Sequence, residues 1–302
     1  MIFGYIKQIS LNINPSRLQG TVFERIKNFL RFVKIEHTFF SLPMIFSGVF
    51  LSAKELPKFW MLALILLGAT GARIVALALN RIIDREIDKR NPRTVVRELP
   101  SGKMSPLEAV LVLVIGATVY FSSAALISTF CLALSPFPIV VFTLYPYMKR
   151  FTPFCHFGVG LGLAMAPLGG WFAMHPTFEG ILPAALLSLF TLFWVAGFDV
   201  IYSTLDELFD RKENLHSFTS RYGKQRALRY SGYLHLLAFV CLGILFAVYV
   251  KGLLALPFLL LSGFLLYLEN KKAEDVELAF FKINAVLGFS VLGMVVVGVF
   301  FR

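Results

Sequence analysis

Charged residues are scarce in this 302-residue chain: 16% are Asp, Glu, Lys or Arg, against roughly a quarter in an ordinary soluble domain. Acids are scarcer than bases, 18 against 29, and the formal net charge is +11. There are three cysteines, Cys131, Cys155 and Cys241, each in or beside an apolar run. Their spacing fits neither a disulfide framework nor a zinc site, which leaves packing as their role. Five histidines, at 37, 156, 175, 216 and 235, are scattered without ligand spacing, which argues against a zinc or haem centre. Residues 1–20 lack the charged start, short apolar run and small-residue cleavage site of a signal peptide. No hydrophilic basic domain exists to hold nucleic acid, so none is expected as a partner.

Apolar residues are abundant. The hydrophobic share is 57%, the mean hydropathy +0.74, and 32 residues are phenylalanine, values that point to a lipid-embedded chain. Nine runs approach the ~20 residues needed to cross the hydrocarbon core. They lie at about 38–54, 59–81, 107–128, 130–147, 155–174, 180–203, 232–250, 252–269 and 280–300. The expectation is one all-α transmembrane domain over 1–302. Segment 22–34 sets Val22, Phe23, Ile26, Phe29, Leu30 and Val33 against Arg25, Lys27, Arg31 and Lys34. It reads as an interfacial helix within a cytoplasmic stretch 1–37.

Lys and Arg are unevenly shared among the connections. Segments 1–37, 84–106, 148–154, 204–231 and 270–279 hold 6, 6, 2, 6 and 2 of them, whereas the opposite side holds Lys54, Lys58, Lys251 and Arg302. The positive-inside rule puts the first group in the cytoplasm. In a bacterium the address is the inner membrane, with loops 84–106 and 204–231 facing inward.

Those two loops begin with acids at helical spacing: Asn80-x3-Asp84-x3-Asp88, and Asp199-x2-Tyr202-x3-Asp206-x3-Asp210. Positions i, i+4 and i+8 share a helix face, and Mg²⁺ meets proteins through one or two carboxylates plus substrate phosphates. Two such faces point to Mg²⁺ and a diphosphate at the bilayer edge. Residues 73–88 and 199–214 also align as a repeat, with Arg73, Asn80, Asp84 and Asp88 over Asp199, Asp206, Asp210 and Asn214. A duplicated helix with a functional end is the economical reading. A solvated helix end would explain the first motif's charge but not its register with Arg73, one of the costly intramembrane charges that mark functional sites. Asp199 lies inside an apolar run, so it and Tyr202, one turn on, face the expected reaction site. Tyr202 alone would pass for an interfacial anchor. Tyr145-Pro-Tyr-Met-Lys149-Arg150 sets two tyrosines and two cations at a helix end. Snorkelling is the plain account of it; neutralising a phosphate or gripping a carboxylate is the functional one. Arg93, Arg97 and Lys212 are further diphosphate candidates. Some phenylalanines should wall a tunnel for an isoprenoid tail.

These residues resemble those of the UbiA superfamily of intramembrane aromatic prenyltransferases, over nearly the whole chain. The strings KIEHTFFSLP (34–43), NRIIDREIDKRNPRTVVRELPSG (80–102), YPYMKRF (145–151) and GFDVIYSTLDELFDRKENLHS (197–217) are similar to the bacterial 4-hydroxybenzoate polyprenyltransferase branch, which includes menaquinone enzymes. The resemblance implies a fold of two helical bundles around a central cavity, and Mg²⁺-dependent transfer of a polyprenyl group from its diphosphate to a ring carbon of an aromatic acid, 4-hydroxybenzoate or a dihydroxynaphthoate. It implies that Asn80, Asp84, Asp88, Asp206 and Asp210 hold metal and diphosphate, with Asp199 and Tyr202 beside the reacting atoms. The sequence departs from its own repeat at Asn214, where the first copy has Asp88. A transporter with intramembrane Asp and Arg along a substrate path is the rival from another class. It would need ionisable residues at mid-span in both halves, whereas here they crowd one end. The D-x2-D-G-x2-A-R string of another membrane transferase class is absent.

Overall fold

In lipid each backbone polar group must be satisfied within its own segment or a closed barrel, and every apolar run here takes the helical solution. The structure, a computed structural model, describes residues 28–29, 31–32, 38–53, 56–276 and 278–301. No strand occurs among them. The helices are α1 (Thr38–Ser52), α2 (Phe59–Ile83), α3 (Arg85–Arg90), α4 (Pro106–Ile127), α5 (Thr129–Leu134), α6 (Pro136–Met148), α7 (Cys155–Met174), α8 (Leu182–Ser203), α9 (Glu207–Lys212), α10 (Phe218–Tyr222), α11 (Lys224–Leu245), α12 (Leu256–Lys271) and α13 (Asn284–Phe300).

Among the described residues, seven apolar segments are long enough to cross a membrane: α2, α4, α5 with α6, α7, α8, α11 with its π-helical end to Val250, and Leu253–Lys271. The first and last expected spans are shorter. The apolar part of α1 is Ser41–Ser52, and α13 has 17 residues, about 25 Å at 1.5 Å per residue. Most of the amphipathic segment 22–34 lies outside the described residues.

Local chemistry sets the ends. Ser105 accepts from the Glu108 amide at 3.2 Å while Glu108 Oε2 accepts from the Ser105 amide at 2.7 Å, a capping box that starts α4 with Pro106 in its first turn. Ser128 is extended and caps α5 through the Cys131 amide at 3.0 Å, so α4 and α5 join through a single residue. Pro136 then forces the break at Ser135 between α5 and α6.

Helix α8 packs against α7 and α11, α1 against α7 and α13, and α2 against α4. The α1–α7 crossing depends on glycine in both directions. A Cβ on Gly48 would lie 2.0 Å from the Pro167 carbonyl oxygen, and one on Gly170 2.0 Å from that of Ile45. Small residues at such crossings let backbones approach where lipid offers no hydrophobic drive. A second device ties α8, α12 and α13: Trp194 Nε1 donates to Asn284 Oδ1 at 2.6 Å, and Asn284 Nδ2 to buried Glu269 at 2.8 Å. Beside it His235 Nδ1 meets Asn270 Nδ2 at 2.6 Å, so this histidine joins helices.

Candidate active site

Both acidic motifs interrupt their helices. Asp84 leaves helical geometry (φ −91°, ψ 2°) between α2 and α3, yet its amide bonds Asn80 O at 2.9 Å and its carbonyl accepts from the Asp88 amide at 2.8 Å. The i→i−4 ladder survives, which keeps Asn80, Asp84 and Asp88 near one stripe. The second motif differs from the continuous stripe expected. Thr204, Leu205 and Asp206 bond back to Ile201, Tyr202 and Ser203, a tight i→i−3 turn that separates Asp199 and Tyr202 on α8 from Asp206 and Asp210 beyond it. In the repeat alignment the breaks fall out of register, at Asp84 in one copy and Thr204–Asp206 in the other.

The motifs meet across the chain. Asn91 makes an Asx turn, its Oδ1 accepting from the Arg93 amide at 2.8 Å, and its Nδ2 donates to Asp206 at 2.8 Å. Arg93 donates through Nε to Asp206 Oδ1 at 2.9 Å, through Nη2 to Asp206 Oδ2, and through Nη1 to the Tyr202 hydroxyl at 2.7 Å. Its guanidinium also lies 4.9 Å from the centre of the Tyr202 ring, a cation–π contact. Loop 91–105 is braced from behind, where Arg97 bonds Asp88 and Arg81 bonds Glu98, both at 2.8 Å.

Asp84 is enclosed by cations. Lys149 Nζ stands at 2.8 Å and Arg150 Nη2 at 3.5 Å, while Asn80 Nδ2 donates at 3.2 Å. Burial pushes the Asp84 carboxyl above its usual range even though Lys149 opposes it. Burial would raise Asp206 too, but the hydrogen bonds and charge of Arg93 outweigh it and hold this carboxyl low. Burial pushes the Asp210 carboxyl up to about 6, although Ser217 opposes the shift.

Behind the acids lies a cavity of about 600 Å³ with Ser41, Arg73 and Tyr145 among its lining residues, a volume suited to a small hydrophobic ligand. Its walls are apolar, and Phe137, Phe142, Phe172, Phe178 and Phe198 are the phenylalanines on them. Arg73 donates to the Ser41 hydroxyl on α1 at 3.4 Å. Tyr145 lies within electrostatic range of both Asp84 and Asp199. Arg150 donates to the Ile83 carbonyl at 2.8 Å and stacks on Tyr147, so it closes the end of α2 as well as facing Asp84. Lys212 is exposed on α9, away from the contacts that join the motifs.

Two residues here were passed over in the sequence. His156 is buried and holds Asp199 at 2.7 Å; an isolated histidine with a partner 43 residues away gives no local signal. Asn91 was hidden in a run of charge, although Asn-Pro-Arg is turn chemistry. No cluster of three or more His, Cys, Asp or Glu able to hold a metal exists among the described residues. The acids of both motifs are nonetheless all oxygen donors, with Lys149 on Asp84 of the first and Arg93 on Asp206 of the second. That set fits an ion that completes its shell with water and ligand phosphates, as Mg²⁺ does.

The UbiA prenyltransferase family model matches residues 41–300. A 4-hydroxybenzoate octaprenyltransferase of Herminiimonas arsenicoxydans is 29% identical over 181 residues, 59% of this chain and 62% of that one. A polyprenyl transferase of Arthrobotrys oligospora is 34% identical over 150 residues, 49% and 41% of the two chains. The match thus spans less than two thirds of either relative. The apo structure of a UbiA homologue from Aeropyrum pernix K1 has a TM-score of 0.81 at 32% identity, over 87% of this chain and 98% of that one. A UbiA homologue from Archaeoglobus fulgidus solved with GPP and Mg²⁺ has a TM-score of 0.65 at 17% identity, over 88% and 99%, a likeness of fold alone.

Proposed function

The chain belongs to the UbiA prenyltransferase family, and on that footing we propose that it transfers a polyprenyl group from its diphosphate to a ring carbon of an aromatic acceptor in quinone biosynthesis. The acceptor is 4-hydroxybenzoate or a dihydroxynaphthoate, in keeping with the octaprenyltransferase relatives. The protein is an integral multi-pass membrane protein. Its site faces the cytoplasm in this reading, because Arg93, Lys149 and Arg150 come from connections on the lysine- and arginine-rich side.

The observation that carries the proposal is the junction of Asn91 and Arg93 with Asp206, which brings both acidic motifs to one mouth above an apolar cavity. Three of the acids are paired with cations: Asp84 with Lys149, Asp88 with Arg97 and Asp206 with Arg93. A diphosphate brings negative charge that competes for those cations and leaves the acids to a metal. Asn80, Asp84 and Asp88 on one side, and Asp206 and Asp210 on the other, would hold Mg²⁺. When bound it supplies Lewis-acid stabilisation of the departing diphosphate. Lys149, Arg150, Arg93, Arg97 and Arg73 supply the rest of the positive field.

The cavity takes the tail and excludes water from the allylic carbon, while the faces of Tyr145, Phe142 and Phe198 steady positive charge there. Asp199 and Tyr202 stand beside the acceptor. Asp199 orients its hydroxyl and takes a proton as the ring attacks.

The test is transfer by purified, reconstituted protein given 4-hydroxybenzoate or 1,4-dihydroxy-2-naphthoate and isoprenyl diphosphates of graded length. We expect prenylated product with one acceptor, its loss on EDTA treatment and its return with Mg²⁺. Asp84→Ala and Asp206→Ala should abolish it while the protein still inserts. No product with either acceptor overturns the aromatic assignment, and turnover that survives chelation overturns the metal.

A further inference from the structure

His156 lies in the first turn of α7, 2% exposed, with each ring nitrogen committed. Nε2 receives the backbone N–H of Phe218 at 3.2 Å. A backbone amide can only donate, so Nε2 carries no proton and the hydrogen of the neutral ring sits on Nδ1. Nδ1 lies 2.7 Å from Asp199 Oδ2 and therefore donates to it. The Phe218 ring closes over the imidazole edge-on, with centroids 5.3 Å apart, which leaves the ring no freedom to turn.

From this geometry we infer that His156 is the positioning residue of the Asp199 carboxylate. As a fixed neutral Nδ1–H donor it occupies Oδ2 and presents the remaining oxygen to the acceptor. The inference rests on the prenyl-transfer reading for the role of Asp199, but not for the state of the imidazole.

The same short segment serves the other half of the site. The His216 amide donates to the Lys149 carbonyl at 2.7 Å, and the Cys155 thiol to the His216 carbonyl at 3.4 Å. Residues 216–218 thus fix the backbone of Lys149, whose ammonium holds Asp84, and also the ring that holds Asp199. The connection between α6 and α7 is in this way hydrogen-bonded to the loop after the second motif.

Two isosteres separate the ring's functions. An asparagine amide overlays Nδ1, whereas a glutamine amide overlays Nε2. In reconstituted protein with Mg²⁺, geranyl diphosphate and 4-hydroxybenzoate, His156→Gln should lower kcat/KM for the acceptor by about 10- to 100-fold, the usual scale for losing a group that orients a site ligand. Its KM for the diphosphate should stay within about threefold, and His156→Asn should recover most of the acceptor term. Equal acceptor kinetics in wild type and His156→Gln overturn the inference, as does an equal loss in both variants that moves both substrates together.

Nitrogen NMR of ¹⁵N-histidine-labelled wild type, assigned by the signal missing in His156→Gln, reads the tautomer without any turnover. Protonated Nδ1 with bare Nε2 supports the inference; a doubly protonated ring or the Nε2–H tautomer overturns it. A wild type that makes no product but shows the expected tautomer counts against the proposed function alone.

Discussion

At the scale of single residues, the site is a set of matched opposite charges poised for exchange. Arg93 bonds both Asp206 oxygens and the Tyr202 hydroxyl from three separate nitrogens, a spread that a planar fork provides and a compact ammonium lacks. Arg93→Lys should therefore keep the charge yet lower transfer by about tenfold, the worth of one or two charge-assisted hydrogen bonds; initial rates at saturating acceptor check this. Asp210 permits a test of sign. Its carboxyl is raised to about 6 by burial, so it favours the fold below its unfolded pKa, near 3.9, and that contribution is lost as pH rises through about 6. In metal-free protein Asp210→Asn should raise Tm at about pH 7.5, with the gain gone by about pH 4, while abolishing transfer. The Asn80, Asp84 and Asp88 stripe was legible because its spacing is local. Asn91 and His156 were not, because their roles depend on partners 115 and 43 residues away.

Among the elements, helix breaks matter as much as helices. Asp84 and Thr204–Asp206 end α2 and α8 where their apolar runs stop, and the short α3 and α9 then carry Asp88 and Asp210. Hydropathy located the apolar runs, since ~20 apolar residues can only be helical in lipid, although α11 begins at Lys224 inside the stretch 204–231 expected as a loop. It did not show the tight turn after Ser203, which lets Asp206 meet Arg93. The α1–α7 crossing is the most exacting contact between elements, with no room for any Cβ at Gly48 or Gly170. Gly170→Val should force α1 away from α7 and cost about 1–3 kcal/mol or more, as overpacking does. A fall in Tm of the detergent-solubilised protein, much larger than for Gly169→Val, measures it, because a Cβ on Gly169 meets nothing within 4 Å.

Over the whole molecule, the acidic motifs, the loop around Arg93 and the Lys149–Arg150 corner gather at one end, and the cavity runs from there between α2, α6 and α7. One-sided labelling tests the orientation. With the three native cysteines replaced by serine, Lys103→Cys and Lys212→Cys should be shielded in intact cells and Lys251→Cys labelled by a membrane-impermeant maleimide; the reverse pattern would invert the topology. The amino-acid sequence alone determined that this chain is helical and lipid-embedded, that its basic residues crowd alternate connections, and that two sets of acids sit at helix ends. Those properties follow from hydropathy and from spacings of three or four residues, which the backbone imposes locally. Only the tertiary structure decided which cation meets which acid, since Arg93 and Asp206 are 113 residues apart and Lys149 and Asp84 are 65. It also decided which phenylalanines face the cavity and what holds Asp199, because helix packing sets the direction of each side chain and no pattern along one helix encodes its neighbour.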